Sequence, residues 1–368
     1  MSRIIAIGTA VPPHGIDQLS ILDFMKAAYG NDQAARKLGF LFRHSGISKR
    51  HSVVPDFCKA RQERILFKDD RTPPNVERRM ELFKAYAPLL CLAAVNDAFA
   101  GLKISAGNFG ITHLITVSCT GVCSPGIDAE LAALLNLPSD VSRIPVNFVG
   151  CNAAFQALKI ADMIIHSEKD AKVLVVCVEL CTLHFQPKES SDNLLSNTLF
   201  GDGAAAAVVT SESYAAQSRH DGLTMMGFYS LLLGKGKYLM GWNVTPLAFE
   251  MTLDAGVSDF IGEEIEDILV KAGNKLGFRA ENIDRWAVHP GGKKILERIE
   301  RRLGLDDGEL RCSYEILGRY GNMSSPTILF VLNEVMKGGL RQDEKVFALG
   351  FGPGLSVETA LFAHAAQP

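Results

Sequence analysis

Three side chains in this sequence combine a reactive type with a pointed setting. Cys151 stands in Phe148-Val149-Gly150-Cys151-Asn152-Ala153-Ala154, with a small residue before it and a helical pattern starting at it. A thiol at a helix N-terminus meets unsatisfied N–H groups and the positive end of the helix dipole, and both favour the thiolate. His289 stands in Trp286-Ala287-Val288-His289-Pro290-Gly291-Gly292, after an apolar run and before a turn. Strand ends in α/β folds are where ligands bind. An imidazole there can stabilise a thiolate as imidazolium or donate to a developing oxyanion. Asn322, in Tyr320-Gly321-Asn322-Met323-Ser324-Ser325, can offer a neutral donor to a carbonyl. Each also has a plainer local reading: a buried structural cysteine, a satisfied core histidine, a Gly-Asn turn. His184, just after an apolar run, lines a pocket or sits in a loop; Cys177, inside that run, reads as structural.

Other chemistries find little footing. The Gly-rich turns at Gly201-Asp202-Gly203 and Gly350 to Gly354 match neither Rossmann nor Walker spacing and read as tight turns, the second able to line a cavity with backbone. There is no GxSxG elbow. No CxxC occurs, and Cys119 and Cys123 have no histidine at ligand spacing, so no metal site is expected. Glu263, Glu264 and Glu266 read as the solvated face of a helix.

The elements that must position these groups alternate between strand and helix. Strands are expected at Arg3–Ile7, His113–Val117, Val173–Val178, Ala204–Val209, Trp286–Val288, Val346–Leu349 and Leu355–Ala363. Helices are expected at Met80–Leu102, Asn152–His166, Asp259–Leu276, Lys293–Leu303 and Pro326–Met336. The stretch Asp32–Arg79, basic and poor in periodicity, reads as a long surface excursion. The alternation predicts an α/β fold with a buried sheet. A weak internal repeat is visible: Cys151 precedes Val173 by 22 positions and Asn322 precedes Val346 by 24. A duplicated unit would set Cys151 and Asn322 at related points near a pseudo-twofold axis.

Composition bounds the partners. The 368 residues are 47% hydrophobic and 21% charged, with formal net charge -3. That is ample for a large core, excludes low-complexity disorder, and argues against nucleic acid, whose binding needs a basic face. No run of about 18 apolar residues predicts a membrane-spanning helix. The apolar start at Arg3–Ile7 is too short for a signal peptide. The eight cysteines are therefore expected as reduced thiols in a cytoplasmic protein.

Four phrases give these residues a shared context: Leu199–Ala206 (LFGDGAAA), His289–Gly292 (HPGG), Gly321–Ser325 (GNMSS) and Gly350–Thr359 (GFGPGLSVET). Together with Cys, His and Asn in this order, they resemble type III polyketide synthases, the chalcone synthase-like branch of the thiolase-fold condensing enzymes. The resemblance spans nearly the whole chain. It implies a thiolase-like α/β fold with duplicated halves in a layered αβαβα arrangement, residues 1–212 bearing the nucleophile and 213–368 bearing the His and Asn. Cys151 would carry the acyl chain, with His289 and Asn322 polarising thioester carbonyls. Phe200 matches the first gatekeeper Phe and Phe249 is the candidate second. Cys119 would line the cavity, a Cys where plant members usually carry Thr. Ser324, Gly352 and Pro353 fall within the shared phrases and are expected at the substrate. Arg43, Lys49 and Arg50 are the candidates for holding coenzyme A. Met240-Gly241-Trp242-Asn243 resembles the MGWD phrase of bacterial alkylresorcinol and alkylpyrone synthases, with Asn243 departing from it. The bulk of His184 and Met240 would narrow the cavity and disfavour a long-chain starter.

The resemblance thus implies a homodimeric acyltransferase. It would extend an acyl-CoA with malonyl-CoA by repeated decarboxylative condensation and close the chain to a pyrone or to a resorcinol or phloroglucinol ring. No cofactor beyond the thioester substrates is required. The alternative within the superfamily is a single-round ketoacyl synthase or acyltransferase. A non-catalytic partner subunit fits poorly with retention of Cys151, His289 and Asn322.

Overall fold

The structure is a computed structural model that describes residues 1–68 and 73–365. Its strands, in chain order, are β1 (Ser2–Ala10), β2 (His14–Asp17), β3 (Lys49–Ser52), β4 (His113–Ser118), β5 (Ser142–Asn147), β6 (Val173–Leu180) and β7 (Asp202–Ser211). They continue with β8 (Gly222–Leu232), β9 (Met240–Val244), β10 (Phe249–Leu253), β11 (Arg285–Val288), β12 (Lys345–Gly352) and β13 (Ser356–Ala365). Nine of them form one mixed sheet in the order β11-β12-β13-β8-β1-β7-β6-β4-β5. The order is near-symmetric about β1 and β8. Each side has parallel strands toward its rim, β5, β4 and β6 on one and β11 and β12 on the other, followed inward by an antiparallel strand. The two sides join through only two residue pairs, Arg3 with Thr224 and Ile4 with Leu223.

Burial on both faces explains why the central strands read as continuous apolar runs. Every residue of β6 and β7 is buried. Along β6, Leu174, Val176 and Val178 pack outward with the helix Val76–Leu102, while Val173, Val175 and Cys177 pack inward. The inward side meets the helices Ala153–Ser167 and Thr327–Lys337. Those two helices are shared with β12, whose Val346 and Ala348 face them. Phe347 and Leu349 of β12 face the outer helices Val257–Leu276 and Lys293–Leu303. The result is a helix–sheet–helix–sheet–helix stack, as the family resemblance implies. The period-two alternation of each strand sends successive side chains to different layers.

The helix Val76–Leu102 is long and apolar enough by length and composition to cross a membrane, yet it lies against β1, β6 and β7 and supplies the core there. The eight cysteines are free thiols. Glu263 and Glu266 are exposed and Glu264 half-buried on the outer helix.

One sequence expectation is corrected. Asp32–Arg79 is not a featureless excursion. It forms the helix Asp32–His44, the strand β3 and two short 3-10 turns, and the last four residues begin the helix Val76–Leu102; residues 69–72 lie outside the described residues. Ala34, Leu38 and Phe42, four residues apart, form a buried stripe among the basic residues. Phe57 and Phe67 join Phe24 and Phe185 in an aromatic cluster, with ring centroids 4.9 to 6.0 Å apart. Abundant charge hid a narrow apolar pattern.

Candidate active site

Four chain segments end at one place in the middle of the stack. Cys151 sits in the turn that opens the helix Ala153–Ser167, with Ala153 N donating to Gly150 O at 3.0 Å. His289 follows β11, its N–H donating to Leu349 O at 2.8 Å. Asn322 follows the helix Arg311–Tyr320 and is bridged to Phe200. Its N–H donates to Leu199 O at 2.9 Å, and its carbonyl accepts from Gly201 N at 3.0 Å.

Two glycines make these approaches possible. Gly150 has φ +107°, and a Cβ there would lie 2.1 Å from Cδ of Pro353. Gly321 has φ +70°, and a Cβ would lie 2.7 Å from Leu199 O. Neither position accommodates a side chain, which is why the phrases around Cys151 and Asn322 carry glycine.

Cys151, His289 and Asn322 are all buried. Asn322 is held from both ends: Nδ2 donates to Gly291 O at 3.3 Å and Oδ1 accepts from Ser324 N at 2.8 Å. Ser324 itself holds φ +58°, a left-handed conformation unusual for serine, and its hydroxyl faces the Cys151 thiol. Burial pushes the thiol up to about 11, opposed by Ser324 and Asn322, while Glu179 adds to the rise. Burial pushes the His289 imidazole down to about 4, opposed by Asn322. Burial therefore disfavours a thiolate or an imidazolium formed singly at this site. Neither ring nitrogen of His289 has a partner of hydrogen-bond geometry.

Glu179, at the end of β6, ties this region together. Its carboxylate accepts from Cys119 N at 2.9 Å, Thr120 N at 3.0 Å, Thr120 Oγ1 at 2.7 Å and Ser325 Oγ at 2.7 Å. It thereby links the β4 loop to the loop that carries Asn322. Cys119 is buried beside the nucleophile, its Sγ accepting from Gly150 N at 3.0 Å.

A second group of side chains lines a small cavity of about 50 Å³ beyond Phe200: His184, Phe249, Trp242, Arg50 and Thr182 among them. His184 stacks on Phe249 with ring centroids 4.6 Å apart and planes 10° apart. Trp242 Nε1 donates to Cys119 O at 2.7 Å, which joins this wall to the β4 loop. A larger groove, about 610 Å³, runs from Gly291 and Gly292 to a rim bearing Arg36, Lys37, His44, Lys293 and Lys294.

The structure brings Cys151, His289, Asn322, Ser324 and Cys119 together, and Phe200, His184 and Phe249 into the adjoining wall. Pro353 packs on Gly150, and Gly352 lies against Asn152, where a Cβ would meet Oδ1 at 2.3 Å. Of four further residues expected at the substrate, Arg50 lines the small cavity and not a coenzyme entrance, and the other three line neither the cavity nor the groove. Met240 belongs to the apolar cluster of Leu233, Leu253 and Leu355 at the far end of the β9–β10 hairpin from Phe249, and is absent from the cavity wall. Arg50 is buried, its guanidinium bonded to Gln18 Oε1 at 2.8 Å, Asn197 O at 2.9 Å and Phe200 O at 2.6 Å, so it does not stand at an entrance. Arg43 extends back over Gly39, and Lys49 is exposed opposite Asp17; neither lines the groove.

The chain matches the family descriptions "Chalcone and stilbene synthases, N-terminal domain" over residues 1–213 and "Chalcone and stilbene synthases, C-terminal domain" over 231–365. The chain belongs to the chalcone and stilbene synthase family. It is an enzyme of the type III polyketide synthase class, an acyltransferase on a thiolase fold. Its structure is similar to PKS-I of the brown alga Ectocarpus siliculosus, with TM-score 0.91 and 26% identity over 99% of this chain and 98% of that one. The type III polyketide synthase domain of Steely1 from Dictyostelium matches with TM-score 0.88 and 29% identity over 98% and 99%. Tetrahydroxynaphthalene synthase of Streptomyces coelicolor A3(2) matches with TM-score 0.84 and 27% identity over 100% and 99%.

Trp242, met in the sequence only as part of a phrase, and the basic groove rim of this chalcone synthase-like enzyme were not singled out as site residues by sequence reasoning. Arg36, Lys37 and His44 share one helix face with Phe40, a signal that helical spacing could have supplied. Lys293 and Lys294 directly follow the HPGG phrase.

Proposed function

We propose that the enzyme loads an acyl group from coenzyme A onto Cys151, then extends it with malonyl-CoA by repeated decarboxylative condensation and closes it to a pyrone or a phenolic ring. The observation that carries this reading is a buried thiol beside an imidazole whose two nitrogens have no partner and a carboxamide fixed by Gly291 O and Ser324 N. Donors held in a dry site stabilise charge that develops on a thioester oxygen, each contributing about 3 kcal/mol.

In the loading step the Cys151 sulfur attacks the thioester carbonyl, its proton passes to His289, and coenzyme A leaves as the thiol. His289 then returns that proton to the departing coenzyme A sulfur. Loss of carbon dioxide from malonyl-CoA then leaves an enolate whose oxygen takes hydrogen bonds from His289 and Asn322. The enolate carbon attacks the Cys151 thioester and lengthens the chain by two carbons. The basic rim of the groove supports binding of the coenzyme's phosphates, with the pantetheine arm directed past Gly291 and Gly292 toward His289. A homodimer is part of this reading: the edge strand β5 leaves much of its length exposed at the end of the sheet.

Incubation with radiolabelled malonyl-CoA and a panel of short, aromatic and long-chain starters tests the proposal. Labelled pyrones or ring products are expected. Absence of any condensation product from folded protein with an intact thiol would sink it. Products that stop at one extension favour the single-round alternative.

A further inference from the structure

We propose that Arg50 is a positioning residue for the condensation: from inside the core it fixes the backbone on which the Asn322 carboxamide hangs. The inference rests on the condensing reading above and gives a role to a buried cation that the mechanism leaves unused.

The argument begins at the end of the helix Ser191–Leu199. An α-helix leaves its last carbonyls without an intrahelical donor. Here Ser196 O still accepts from Phe200 N at 3.1 Å, and each of the next four carbonyls is met from another segment. Arg50 Nη1 donates to Asn197 O at 2.9 Å and to Phe200 O at 2.6 Å. Gln18 Nε2 donates to Thr198 O at 2.9 Å, and Gln18 Oε1 is itself held by Arg50 Nε at 2.8 Å. The fourth, Leu199 O, takes the N–H of Asn322, and Gly201 N donates back to Asn322 O. The carboxamide is thus hung on a stretch of backbone that Arg50 and Gln18 grip. The stem of Arg50 lies against both sides of this bridge. A Cβ on Gly321 would stand 2.9 Å from Arg50 Cγ, and one on Gly201 would stand 3.5 Å from Arg50 Cβ.

A guanidinium suits this task. Its planar fork reaches acceptors on two elements at once, and its charge is favoured at a helix C-terminus. It remains charged at neutral pH, since burial pushes it down only to about 9 and Asp202 opposes the fall. Asp202 directly follows Gly201 and accepts from Val53 N at 2.9 Å and Thr182 N at 2.8 Å, so the balancing carboxylate is anchored as well. A clamp remote from Asn322 would support the fold and leave the reaction alone. Here the clamped carbonyls flank the one that holds Asn322, so slack in the clamp moves the carboxamide. A misplacement of about 1 Å costs on the order of 10²-fold in rate.

A double-mutant cycle tests this, read as release of labelled carbon dioxide from malonyl-CoA by the full-length enzyme without a starter. Arg50→Met should lower kcat about ten- to hundred-fold, with KM changed by less than about two-fold. In an Asn322→Ala background the same substitution should slow the reaction by less than about two-fold, because the group it positions is gone. Losses that multiply in the double variant, or a raised KM with kcat retained, overturn the proposal. If Arg50→Met yields no folded protein by circular dichroism, Arg50→Lys and Gln18→Leu complete the same cycle, with smaller losses and the same required non-additivity. Asn322→Ala alone guards the underlying reading. Normal decarboxylation by that variant overturns both, whereas a slow Asn322→Ala beside an unaffected Arg50→Met overturns only the role given to Arg50.

Discussion

Two histidines lie buried within this active-site region and could hardly be used more differently. His184 has both ring nitrogens bonded: Nε2 to Thr120 O at 2.7 Å, and Nδ1 accepting from Phe249 N at 3.0 Å. Its flanking carbonyls, at Leu183 and Phe185, are held in turn by the buried Arg79 guanidinium, which also donates to Leu247 O at 2.7 Å. His289 has neither nitrogen bonded. Burial depresses both, His184 to about 3 and His289 to about 4. A depressed value alone does not distinguish a fastener from a reagent; the unspent bonding capacity does. His184 staples the β9–β10 hairpin to the β4 loop, whereas His289, beside Asn322, makes no hydrogen bond of full geometry and keeps the capacity that the proposed reaction would use.

The comparison can be broken at several points. Cys151→Ala should abolish acyl transfer, with condensation falling on the order of 10⁴-fold or more and no acyl adduct detectable by mass spectrometry. Thermal stability should hardly change, since a small buried side chain is merely shortened.

His289→Ala and His184→Ala should then diverge. The first is expected to lower kcat by roughly 10²–10³ through loss of a charge-stabilising donor, with little effect on equilibrium unfolding. The second strands Phe249 N and Thr120 O and leaves a void, so it should cost roughly 2–4 kcal/mol in denaturant unfolding. Equal losses of stability in the two variants would erase the distinction. Asn322→Ala should behave like His289→Ala, most visibly in release of carbon dioxide from malonyl-CoA, and normal decarboxylation by that variant would refute its role.

Acid should reveal the staple next. The folded protein keeps His184 neutral down to about 3, whereas an unfolded histidine takes up its proton near ~6.5. The unfolded state therefore binds more protons in that window. The contribution to stability is complete above ~6.5 and is lost as the pH falls toward 3. Unfolding measured across this range should be less pH-dependent in His184→Gln, and an unchanged slope would remove His184 as a cause.

The smallest effect belongs to the groove. Lys37→Ala and Lys294→Ala should each raise KM for an acyl-CoA about three- to ten-fold with kcat retained, and the difference should shrink at high salt. A change confined to kcat would place these residues outside thioester binding.

Local pattern made the buried sheet and its covering helices legible, and the family resemblance supplied their layer order. The strands β6, β7 and β12 are apolar at successive positions because both faces are covered, and the helices beside them carry the matching stripes. The phrase around Cys151 and that around Asn322 are legible for a physical reason too: each needs a glycine where a Cβ would strike Pro353 or Leu199. The groove rim was harder to see. Its cations lie on two elements more than two hundred residues apart, and Arg43 and Lys49, close in sequence to that rim, point elsewhere.

Residue types and spacing singled out a thiol, an imidazole and a carboxamide on an α/β scaffold, and the family resemblance supplied the roles expected of them; hydrophobic periodicity and obligatory glycines are written locally. Folding decided the rest. Burial raised the thiol and lowered the imidazole, Arg50 was drawn inside, and one histidine was bonded on both nitrogens while the other was not. Those outcomes depend on which groups from distant segments exclude water around a given atom, and desolvation is a property of the assembled neighbourhood, which no single stretch of chain carries.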